Sequence, residues 1–65
     1  MTAAHRKNAR DQTAHAIRAL GATLCGLDFA RSECVKANDN KRLRKIDSAM
    51  ITIDNAVEAL KEVIK

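Results

Sequence analysis

Large apolar residues recur at alternating steps of four and three positions along the second half of the chain. They fall at Leu43, Ile46, Met50, Ile53, Val57, Leu60 and Ile64. This spacing keeps apolar side chains on one side of an α-helix, because about 3.6 residues complete one turn. The pattern predicts one amphipathic helix over about residues 41–64.

The first half of the chain shows the same spacing, with Arg31 at the one interior position where an apolar residue is due. Its apolar positions are Ile17, Leu20, Leu24, Leu27 and Cys34. We therefore predict a partner helix over about residues 3–36. The alternative is a three-helix arrangement that breaks at Gly26, with Asp28 capping a short helix to Lys36. We favour the continuous helix, because a glycine inside a helix costs only about 1 kcal/mol.

The segment between the two predicted helices, residues 37–40, is the one concentrated turn signal in the chain. Asn38 tolerates a left-handed conformation after a helix, and Asp39 or Asn40 can cap the next one. A turn this short forces the two helices to run antiparallel.

One register matches all seven apolar positions of the second helix with positions on the first. The two residue numbers of every pair add up to 77, from Ile64 with Thr13 to Leu43 with Cys34, and Ile46 falls opposite Arg31. The predicted fold class is all-α, an antiparallel two-helix hairpin that forms a single domain over residues 1–65.

A hairpin buries one side of each helix, and the opposite side of the first helix is also apolar. Opposite the leucine side of the first helix lie Ala22, Cys25, Gly26 and Phe29, and the register places Ile51 at the same height. A chain of 65 residues usually needs disulfides, a metal or a partner subunit to support its small core. We expect these five residues to form the interface of a homodimer, a four-helix bundle.

Composition supports the helical assignment and narrows the cellular setting. The chain has no proline, two glycines and many strong helix formers. It contains neither a secretory signal pattern nor an apolar stretch long enough to span a bilayer, so we expect a cytoplasmic protein that does not bind a membrane. Its two cysteines are then expected to be free thiols in a reducing compartment.

Groups that could carry out chemistry do not converge in the predicted helices. Cys25 and Cys34 are nine residues apart on one helix, which is half a revolution and about 13 Å of rise. His5 and His15 are separated in a similar way. The sequence has no glycine-rich phosphate loop, no nucleophile motif and no metal-ligand spacing. We predict that it is not an enzyme and needs no cofactor, metal or small-molecule substrate.

The net charge of +4 comes from two basic clusters. The first cluster is Arg6, Lys7 and Arg10, and the second is Lys41, Arg42, Arg44 and Lys45. Both lie where a helix begins, and there the helix dipole favours acidic side chains instead. Because this placement works against stability, we interpret the seven basic residues as a binding surface for an anionic partner.

These features predict a small non-catalytic regulator or inhibitor, of the kind that phages and plasmids encode. It would bind an acidic protein through its basic helix ends, through the apolar face around Phe29, or through both. The alternative is a nucleic-acid-binding bundle that contacts the backbone of a duplex or a structured RNA. One phenylalanine and no tyrosine or tryptophan leave no stacking platform for single strands, and we therefore favour the protein partner.

Overall fold

The computed structural model describes residues 2–65 and consists of two α-helices. The helix α1 spans Ala3–Lys36 and the helix α2 spans Asn40–Lys61, with no strand in the described residues. The two helices pack against each other as a hairpin with extents of 52 × 15 × 13 Å. The prediction of an all-α helical hairpin is confirmed.

The helix α1 is continuous from its first residue to the turn. The hydroxyl of Thr2 accepts a hydrogen bond from the backbone N–H of His5 at 3.2 Å, which caps the helix start. The backbone stays helical through Gly21 and Gly26, so the three-helix alternative is wrong. Leu24 and Leu27 flank Gly26 and are half-buried in the hairpin, and this packing offsets the helix-breaking tendency of the glycine.

The turn forms as Asn38 and Asp39 predicted. Asn38 adopts the left-handed conformation, with φ at 56°. Its N–H donates to the carbonyl of Val35 at 3.2 Å, and the N–H of Asp39 donates to the carbonyl of Cys34 at 3.0 Å. These are the two bonds of a Schellman motif, which satisfies the last carbonyls of α1. The carboxylate of Asp39 then caps α2 by accepting from the N–H of Arg42 at 3.1 Å.

The far end of α2 differs from the prediction, because the helix ends at Lys61 and does not reach residue 64. The N–H groups of Glu62 and Val63 bond to carbonyls three residues back, which closes the final turn. Ile64 was predicted to face Thr13 in the apolar seam, but it lies beyond the helix with 38% of its surface exposed. These bonds tighten the chain after Lys61, so Ile64 leaves the helical repeat that placed it in the seam.

The apolar seam between the helices is half-buried along its whole length. Its members are Ile17, Leu20, Leu24, Leu27 and Cys34 on α1 and Leu43, Ile46, Met50, Ile53, Val57 and Leu60 on α2. Arg31 interrupts this row, and its Nε donates to Oδ1 of Asp47 at 2.6 Å, one residue past the expected Ile46. An ion pair between the helices therefore fills the gap in the seam.

The hairpin exposes more surface than a compact protein of its mass. No side chain in residues 2–65 is fully buried, and the accessible surface is 5060 Å². A compact chain of 7.1 kDa would expose about 4,100 Å². The excess is about 1,000 Å², and each partner in a standard protein interface buries about 800 Å². The radius of gyration of 15.6 Å also exceeds the roughly 11 Å of a globular chain of this length.

Within residues 2–65, neither helix combines the length and the apolar character that crossing a bilayer requires.

Candidate partner-binding surfaces

The two basic clusters lie at opposite ends of the hairpin. Arg6, Lys7 and Arg10 belong to the first turns of α1, at the open end where the chain also finishes. The second cluster follows the turn, at the start of α2. Because the hairpin is 52 Å long, a single chain does not bring the two clusters together.

At the open end, a surface depression of about 470 Å³ collects part of the first cluster. It is lined by Arg6, Ala9, Arg10, Val63 and Lys65. Arg6 and Arg10 are four residues apart and therefore share one side of α1. Val63 and Lys65 were not predicted as site residues, since the sequence pattern assigned this segment to the helix and its seam. The depression joins three basic side chains to apolar groups.

Lys7, the third residue of the first cluster, forms an ion pair with Asp11. Its Nζ bonds to Oδ2 of Asp11 at 2.9 Å, one helical turn along α1. The hydrogen bond and the positive charge of Lys7 lower the pKa of the Asp11 carboxyl below its ordinary value. Lys7 therefore points its charge at an acidic neighbour and does not line the depression.

At the turn end, a second depression of about 440 Å³ is lined by Asp39, Lys41, Arg42 and Lys45. Arg42 pairs with Asp39 at 3.0 Å, whereas Lys41 and Lys45 form no ion pair within residues 2–65. Arg44 does not line this depression, and its Nε donates to the carbonyl of Asn40 at 3.4 Å. The four predicted residues are thus divided into a group of three and a separate Arg44.

A third, shallower depression of about 310 Å³ crosses both helices near their middle. Leu24, Cys25, Asp28, Met50 and Asp54 line it. Of the five predicted interface residues, Cys25 lies in this groove. Phe29 and Ile51 are about one helical turn from Cys25 and Asp54, so they border it.

Large apolar side chains remain exposed beside this groove. Phe29 is 69% exposed and Ile51 is 62% exposed. Ala22 is also exposed, and a Cβ added at Gly26 would meet no atom within 4 Å. Gly26 does not line the groove and stands on the open circumference of α1.

Charged residues beside the groove were not predicted as site residues. Arg18 lies two helical turns before Cys25, and Asp28 lies in the groove itself. Neither Arg18 nor Asp28 forms an ion pair within residues 2–65. The helical spacing in the sequence would have placed both on one side, but the structure was needed to show that neither is paired inside the hairpin.

The cysteines and the candidate metal ligands can be located in the structure. Across residues 2–65 no group of three or more His, Cys, Asp and Glu side chains is placed to hold a metal ion. Cys25 and Cys34 are both unbonded thiols, the first exposed and the second half-buried. What the surfaces offer a ligand is positive charge at the two ends and apolar area between them.

Comparison with known proteins finds no matching family model, no similar curated protein and no similar solved structure.

Proposed function

We propose that this protein is a small non-catalytic regulator or inhibitor that binds an acidic protein through the basic ends of the hairpin and dimerises through its apolar face. One observation carries the proposal: a depression at each end is lined by basic side chains. At the turn end, Lys41 and Lys45 have no carboxylate partner within residues 2–65. Such uncompensated cations attract an anionic partner and speed its association.

The mixed character of the open-end depression favours a protein partner. Ala9 and Val63 lie between basic side chains, so an acidic partner can add apolar contact to charge pairing. A nucleic-acid backbone would use the charges alone. The single aromatic residue, Phe29, does not line either basic depression and offers no stacking surface there.

A second copy of the chain is the occupant that we propose for the apolar face. Ala22, Cys25, Gly26, Phe29 and Ile51 would be covered in a four-helix bundle. The excess surface of about 1,000 Å² per chain matches what each partner buries in a standard interface. Dimerisation would also supply the fully buried core that the hairpin lacks.

The role of the turn-end depression can be tested with a variant whose matched control comes from the same cluster. The variant carries Lys41→Gln, Arg42→Gln and Lys45→Gln, and the control carries Arg44→Gln, which removes a basic residue outside the depression. The tagged parent chain captures its partner from lysate with and without nuclease. The purified partner is then titrated with all three proteins.

We expect nuclease-resistant capture, at least tenfold weaker binding for the triple variant and unchanged binding for the control. The triple variant should keep its helicity, because neutral groups suit a helix start better than cations. Equal losses in the variant and the control would show that the depression has no specific role. Capture that disappears on digestion, with a log–log salt slope of about −0.9 per phosphate, would establish the nucleic-acid alternative instead.

A further inference from the structure

A second regular row of residues runs along α1 beside the groove. It consists of Ala14, Arg18, Gly21, Cys25, Asp28 and Ser32, spaced alternately four and three positions apart. Cys25 and Asp28 line the groove, which fixes the side of the hairpin on which this row lies. The other four follow from the helical repeat, because steps of three and four return to the same face.

The positions of the row are symmetric about residue 23, and its side chains differ between the middle and the flanks. Gly21 and Cys25 stand two positions on either side of residue 23, and Arg18 and Asp28 stand five positions on either side. The middle is therefore small and uncharged, and the flanks carry one positive and one negative side chain. Both flanking charges are without an ion pair within residues 2–65.

We infer that two copies of the chain pair antiparallel across this row, with the twofold axis at the height of residue 23. Arg18 of each copy then meets Asp28 of the other, and Gly21 of each lies against Cys25 of the other. A single twofold operation makes both ion pairs. A parallel pairing would set Arg18 against Arg18 and Asp28 against Asp28, and both contacts would be repulsive.

The inference rests on the proposed dimer face and adds its orientation. Small residues at the crossing point let two helices approach closely, and Gly21 has no neighbour within 4 Å of an added Cβ. Phe29 and Ile51 border the same side and would be covered by the second copy.

The antiparallel register also brings the two basic clusters to the same end of the dimer. In this register, Arg10 of one copy is level with Lys36 of the other, and Arg6 is level with Asn40, where α2 begins. Each end of the dimer carries both basic clusters, which a single chain keeps apart along its 52 Å length. Lys45 is nine residues before Asp54, which is half a revolution of α2, so the turn-end depression faces away from the groove and the two depressions stay separate.

Exchange of the two charges tests the orientation directly. The variants are Arg18→Asp, Asp28→Arg and the double exchange. Each single substitution should weaken the dimer about tenfold, because symmetry uses every residue twice. The double exchange should return the dimer Kd to within about threefold of the parent, since opposite charges meet again only in the antiparallel pairing.

The measurement is sedimentation equilibrium of the full chain, with circular dichroism to verify helicity. The matched control is Thr52→Asp, which adds a charge at an exposed position off the row, and it should leave the Kd unchanged. A double exchange as weak as the single variants would overturn the antiparallel pairing while leaving the dimer face intact. A parent chain that stays monomeric would overturn both.

Discussion

The chain reverses direction at Asn38, which adopts a left-handed backbone conformation that few residues adopt without an energetic cost. A side chain with a Cβ in the left-handed region loses about 1–2 kcal/mol, and asparagine is among the residues that tolerate it. Asn38 also donates the N–H that closes one bond of the Schellman motif. The turn therefore depends on backbone conformation at one position.

Substitution at Asn38 should separate conformation from side-chain chemistry. Asn38→Val should destabilise the hairpin by about 1–2 kcal/mol, because a β-branched residue is strained at a φ of 56°. Asn38→Gly should be neutral or slightly stabilising, since glycine reaches this conformation freely. Thermal denaturation at one fixed protein concentration measures both. Equal melting temperatures for the two variants would contradict this account.

Single residues also show where prediction from the sequence succeeded and where it stopped. Asn38 and Asp39 were predictable, because their roles in turns and caps are local. The Arg31–Asp47 ion pair was not, since the apolar register points to Ile46 and a long side chain reaches the next residue. Arg42 and Arg44 are two positions apart and so lie on nearly opposite sides of α2, but only the structure shows which side holds the depression.

At the level of the helices, the end of α2 at Lys61 means that two isoleucines of the predicted seam contribute differently to stability. Ile53 is half-buried in the middle of the seam, whereas Ile64 lies beyond the helix. Ile53→Ala should cost about 2 kcal/mol, the lower end of the range for core truncations, because the site is half-exposed. Ile64→Ala should cost less than about 0.5 kcal/mol. Thermal denaturation of both variants measures the difference, and equal losses would restore Ile64 to the seam.

The apolar spacing predicted the continuity of α1 correctly but not the end of α2. Apolar spacing reports which side of a helix is buried, and it indicated that α1 continues through Gly26. It does not report where the hydrogen-bond pattern at a helix end changes. The N–H groups of Glu62 and Val63 bond three residues back, so the helix ends at Lys61 and the periodic Ile64 was misleading.

For the molecule as a whole, stability should depend on protein concentration. Association stabilises the folded state by mass action, so the melting temperature of the parent should rise between micromolar and hundred-micromolar chain. Phe29→Glu should abolish that rise, because it places a charge on the proposed dimer face without disturbing the half-buried seam. Thr52→Glu, at an exposed position off that face, is the control and should retain it. A parent melting temperature independent of concentration would contradict dimerisation.

The proposed dimer is the part of the molecule that the sequence describes least directly. Phe29 and Ile51 motivate a covered face, but they carry no information about orientation. The proposed orientation depends on Arg18 and Asp28, and only the structure of the hairpin shows that these two charges form no ion pair within residues 2–65. The surface excess likewise follows from the rod-like shape and not from composition.

The two helices have unequal lengths, 34 and 22 residues, and we expect the start of the longer helix to be the last part of the structure to form. Contacts beside Asn38 close the shortest loops, and each contact nearer the open end closes a longer one at greater entropic cost. The hairpin should therefore zip from the turn outward, and residues 2–12, all exposed, should order last. Their amide protons should exchange fastest with solvent, so the open-end basic residues are presented on the least persistent segment of the chain.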